Sequence, residues 1–143
     1  MSEKFRLFEG VFGGTTVGYF GWKSPRRKLA IILERESQKW FKPALGQFQI
    51  FYKSGVDQRE YQPDFVAESS DAIHILEPKR ESEMNAADVL AKRDAAVQWC
   101  EDASQHALSC GGKPWSYALI PHDAIAENMT LRELSVRFGG TVV

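Results

Sequence analysis

The stretch that most constrains the fold is a long helix with strand patterns on both sides. From Asn85 to about Leu108 the chain has no proline or glycine, and Val89, Ala96, Cys100, Ala103 and Ala107 repeat at helical spacing. That face consists mostly of small side chains, which predicts close packing against a sheet. Asn85 supplies a capping side chain with Asp88 in the first turn, and Cys110-Gly111-Gly112 ends the helix. Before it, Ala72 to Lys79 reads as a strand, and after it Trp115 to Ile120 reads as another, closed by Pro121. The helix therefore crosses from one strand of a sheet to the next.

The rest of the chain extends this frame. Ser24-Pro25 opens an earlier helix that carries Leu29, Ile32 and Leu33 and runs to about Gln38, with Pro43 barring continuation. Phe48, Ile50 and Tyr52 alternate with polar residues as in a half-buried strand, and Ser54-Gly55-Val56-Asp57 is a turn. A second strand is expected from Glu60 to Ala67, followed by a turn at Glu68-Ser69-Ser70-Asp71. Thr130-Leu131-Arg132-Glu133 is a capping box that opens the second of two short C-terminal helices. The expected fold is α/β: a helix, three strands joined by hairpins, a crossover helix, a fourth strand and a helical tail. Residues 1–24, rich in glycine and aromatics, read as an irregular segment or marginal hairpin, and residues 25–143 as a single domain.

The chemistry-bearing residues lie around the second turn. Pro63-Asp64 precedes it and Glu77-Pro78-Lys79 follows it at a mirrored distance. In an antiparallel pair Asp64 and Glu77 then stand opposite each other, and Glu77 and Lys79, two apart, share one face. Two facing carboxylates need a neutralising charge. A divalent cation on oxygen ligands supplies it, and magnesium or manganese suits that donor set. Pro78 keeps a carbonyl that can join the ligands but has no N–H for the sheet. Lys79 would orient or deprotonate a water, or stabilise charge on a phosphate.

These residues and their order resemble the PD-(D/E)XK nuclease superfamily through Pro63-Asp64 and Glu77-x-Lys79. Longer strings resemble more narrowly the C-terminal nuclease domain of type III restriction subunits. They include Trp40-Phe41-Lys42-Pro43-Ala44, Gly46-Gln47-Phe48-Gln49-Ile50, Tyr61-Gln62-Pro63-Asp64-Phe65-Val66-Ala67-Glu68 and Leu76-Glu77-Pro78-Lys79, within about Leu29 to Leu131. The resemblance implies a restriction-endonuclease-like core and a site-specific deoxyribonuclease acting on DNA phosphodiesters with magnesium, for which manganese can substitute. Asp64, Glu77 and Lys79 would be catalytic, with Asp64, Glu77 and Pro78 at the metal. It also implies a cytoplasmic complex with an upstream helicase-like ATPase motor and a methylation subunit, although no motor or methyltransferase motif occurs in this chain. One centre cuts one strand, so double-strand cleavage calls for a transient dimer. The alternative is a catalytically silent nuclease fold that docks DNA or a partner subunit.

The resemblance departs at the first helix, which in the family opens with an acidic residue that supports the metal. Here it reads Lys23-Ser24-Pro25-Arg26-Arg27-Lys28. Glu34, two turns on, is the candidate supporting acid. Lys23, Arg26, Arg27 and Lys92 are candidate contacts for a DNA backbone. Gln49, Lys53 and Gln62 are candidate lining of the same face. His74 alternates with Ile73 and Ile75 and points away from Glu77, and His106 and His122 have no metal-ligand spacing. A net charge of −1 speaks against a protein that simply coats DNA. Cys100 and Cys110 lack a CxxC spacing, which argues for reduced thiols and against zinc. No run of about 18 apolar residues offers a membrane span.

Overall fold

A computed structural model describes residues 25–139. The expectations for residues 1–24, including the Ser24 cap and Lys23, lie outside them. In chain order the described elements are α1 (Pro25–Glu36), β1 (Lys39–Phe41), β2 (Ile50–Ser54), β3 (Asp57–Tyr61), β4 (Phe65–Glu68), β5 (Ile73–Lys79), α2 (Ala87–Cys110), β6 (Trp115–Pro121) and α3 (Leu131–Phe138). Short 3-10 turns follow β5 and β6. The fold is mixed α/β. One four-stranded sheet has the order β1-β4-β5-β6, and β2 and β3 form a separate two-stranded sheet.

The main sheet is antiparallel from β1 through β5, and β6 runs parallel to β5 after the α2 crossover. Each face buries its own core. Phe65, Ala67, Leu76, Ala118 and Ile120 pack with Leu29, Ile32 and Leu33 of α1 and Leu131 and Leu134 of α3. Val66, Ile75, Tyr117 and Leu119 point the other way, toward Val89, Ala96 and Cys100 of α2 and Ile50, Tyr52 and Tyr61 of the hairpin. This two-sided packing is why β5 is buried at all positions but its two ends. Among the described residues no helix is long and apolar enough to cross a membrane.

Two expected elements are corrected. The strand expected from Glu60 to Ala67 is two strands, with Gln62-Pro63-Asp64 between them. Pro63 cannot donate to a ladder, so the chain leaves the β2–β3 hairpin there and enters the main sheet at Phe65. The strands before α2 are therefore not one three-stranded meander. The third antiparallel partner is β1, a segment just past the expected end of the first helix, where no element was expected. Trp40, 1 % exposed, pairs across to Ala67, and its indole N–H donates to Glu34 Oε2 at 2.7 Å. At the end of α1, Ser37 donates both its backbone N–H and its hydroxyl to the carbonyl of Leu33, and β1 begins two residues later.

Helix α2 begins at Ala87 with Ala86 as a cap that offers no side-chain bond, so Asn85 does not cap it. Its other end is as expected: Gly111 takes φ 73°, a left-handed conformation that favours glycine. The β2–β3 turn has Gly55 at φ 65° while Val56 keeps a negative φ, the pattern of a type II′ hairpin turn. Thr130 Oγ1 accepts from Glu133 N–H at 3.0 Å, one half of the expected capping box.

Candidate functional site

The β4–β5 ladder ends at Phe65 opposite Leu76. Continued one step, the same register sets Asp64 against Glu77, and a second step sets Pro63 against Pro78. Neither proline offers an N–H, so the two strands part at this point while β5 continues beside β6 to Lys79. The pairing of β4 with β5 ends here, with Glu77 buried and Asp64 partly exposed.

The contact between them is direct. The backbone N–H of Asp64 donates to Glu77 Oε2 at 3.0 Å. Lys79 Nζ lies 3.9 Å from Glu77 Oε1, on the same face of β5. The pairing of Asp64, Glu77 and Lys79 expected from the sequence is thus the arrangement in space. Pro78 is fully buried at the same strand end.

The electrostatics set the two carboxylates apart. Glu77 is 6 % exposed, and burial together with the charge of Asp64 pushes its pKa up to about 7, opposed by the Asp64 N–H and by Lys79. Asp64 is more open and forms an ion pair with Arg26, Nε to Oδ2, at 3.0 Å. Two groups that sequence reasoning gave no role complete the cluster. Lys42, just past β1, sits 4.9 Å over the Phe65 ring. Burial lowers its pKa, and Asp64, Arg26 and Glu77 are its charged neighbours. Tyr61 is 2 % exposed, and its hydroxyl has no hydrogen-bond partner of normal geometry among the described residues. Burial, followed by the influence of Glu77 and Tyr117, raises its pKa well above the usual range. The signal for Lys42 was its place two residues after a buried Trp40; Tyr61 carried no signal beyond strand alternation.

Other expected residues lie elsewhere. Glu34 is about 12 Å along α1 from Arg26 at 1.5 Å per residue, and its carboxylate serves Trp40. Lys92 pairs with Asp88 at 3.1 Å and overlies the Tyr52 ring. Arg27 is half-buried on α1, and Gln49 and Lys53 are exposed on and beside β2. Gln62 donates to the Pro43 carbonyl at 2.9 Å and so braces the segment that carries Lys42. His74 is on the opposite face from Glu77, as alternation predicts, between the hydroxyls of Ser69 at 3.1 Å and Ser116 at 2.8 Å.

Among the described residues no group of three or more His, Cys, Asp or Glu side chains gathers as a metal cage. Magnesium does not require one. It is commonly held by one or two carboxylates, with water and substrate phosphate completing six oxygens. Asp64 and Glu77 fit that pattern, and the buried Tyr61 hydroxyl adds a polar atom beside Glu77. No family model, curated protein or solved structure matches this chain.

Proposed function

We propose that this chain is a magnesium-dependent nuclease domain with a restriction-endonuclease-like core, hydrolysing DNA phosphodiesters at Asp64, Glu77 and Lys79. The observation that carries the reading is the Asp64 N–H bond to Glu77 Oε2, with Lys79 Nζ 3.9 Å from the same carboxylate, where β4 and β5 part. The resemblance of the motif strings to type III restriction subunits supports DNA as substrate, with a motor and a methylation subunit as partners.

Asp64, Glu77 and the Pro78 carbonyl would hold the cation. A magnesium ion held there would neutralise phosphate charge and lower the pKa of a coordinated water. The chain does the rest. Glu77, held by the Asp64 N–H, keeps a fixed orientation and needs only to lose its proton. Lys79 is placed to align the attacking water or to meet the charge that develops on the phosphate. The buried aromatic floor of Tyr61 and Tyr117, whose rings meet edge to face with centroids 6.5 Å apart, limits water around Glu77.

A specific observation favours the second reading, a silent docking module: Asp64 already has a cationic partner in Arg26. Manganese titration separates the two. Saturable binding that Glu77→Ala abolishes supports the hydrolytic site, and absence of binding in the parent chain supports docking.

A further inference from the structure

Arg26 touches Asp64 through Nε alone; its Nη1 and Nη2 make no hydrogen bond among the described residues. The guanidinium is exposed, 44 % against 20 % for the carboxylate, at the first turn of α1. Its planar outer edge has the geometry that receives a phosphate in two parallel hydrogen bonds. While it holds Oδ2 of Asp64, however, a positive group sits where a divalent cation would bind. Lys42 adds a second positive charge near the same carboxylates. With Lys79, three cations face two carboxylates, so the cluster attracts an anion before it attracts a metal.

We propose that the Arg26–Asp64 pair is a latch opened by nucleic-acid phosphate. The backbone phosphate takes the Arg26 guanidinium, Asp64 is released, and the cation then completes the site. Phosphate and cation binding are thereby coupled, each strengthening the other by the same factor. The free protein holds its cation weakly and the DNA-bound protein holds it well. This rests on the reading of Asp64 and Glu77 as cation ligands. The partly exposed pair is a weak interaction, which sets the expected effect at about fivefold in cation affinity.

The test is manganese binding by the full chain, measured calorimetrically with and without a short duplex, whose own uptake is measured separately and subtracted. The proteins compared are the parent, Arg26→Gln, Asp64→Asn and Lys28→Gln. Lys28 lies on the same helix, and Lys28→Gln loses the same charge without touching Asp64. The latch predicts that Arg26→Gln binds manganese about fivefold tighter than the parent without DNA. It predicts that DNA tightens the parent about fivefold more than it tightens Arg26→Gln, in which only direct ligation of the cation by phosphate remains. Equal or weaker binding by Arg26→Gln, or equal tightening in Lys28→Gln, overturns the latch while Asp64-dependent binding leaves the cation site standing. No binding sensitive to Asp64→Asn in any protein overturns both.

Discussion

At the residue scale, the account turns on Glu77, a carboxyl buried at the end of a strand. Its pKa is raised from 4.5 to about 7 by burial and by Asp64. The folded state therefore binds more protons than the unfolded chain between those values, and stability falls as pH rises through that window. The loss is on the order of 3 kcal/mol, complete above pH 7 and absent below pH 4.5. Glu77→Gln keeps an oxygen to accept the Asp64 N–H and cannot ionise. It should flatten this slope and be the more stable protein at pH 8 in denaturant titrations. A slope unchanged by the substitution would mean that Glu77 is not the titrating group. Tyr61 offers a second test. Its buried hydroxyl lies beside Glu77 and Tyr117 without a well-formed hydrogen bond, so Tyr61→Phe should change stability by less than about 1 kcal/mol. A loss of more than about 1 kcal/mol would show that the hydroxyl has a partner. Asp64, Glu77 and Lys79 were legible because strand alternation and a mirrored turn fix their relative places. Arg26 was legible only as a candidate DNA contact and Lys42 had no role, since only tertiary packing brings α1 and the end of β1 onto Asp64.

At the scale of elements, the sequence patterns placed α1, β5, α2, β6 and α3 correctly in kind. They failed where one residue changed the partner of a strand. Pro63 lies inside a run that alternates well enough to read as continuous, yet it divides β3 from β4. Lys39–Phe41 is too short for its own periodicity to show, and it becomes a strand because Trp40 fills the core beneath α1. Ala86 rather than Asn85 precedes α2, which is held by packing of Val89, Ala96 and Cys100 and not by a side-chain cap. Glu34 illustrates the same dependence on context. Its sequence position suggested support for the metal, and its carboxylate instead braces α1 to β1 through Trp40. Glu34→Ala should lower stability by about 1–3 kcal/mol and leave manganese affinity unchanged. A loss of manganese affinity at full stability would restore the supporting-acid role.

At the scale of the whole molecule, two cores clamp one sheet, and the carboxylates lie where β4 and β5 separate, Glu77 buried and Asp64 partly exposed. A site at the end of a doubly covered sheet is held by rigid elements, while Arg26 at its rim is exposed and able to move. The chain presents one such centre among the described residues. On the nuclease reading it nicks one strand at a time, and linear product should appear only after nicked circles and with a concentration-dependent rate. The most direct measurement is supercoiled-plasmid cleavage in magnesium or manganese by the parent chain, Asp64→Ala and Lys79→Ala side by side. The account predicts nicking by the parent and at least a hundredfold less by either variant, on the order of the loss typical for a removed catalytic group. Equal nicking by all three, or none by the parent in either metal, would contradict it.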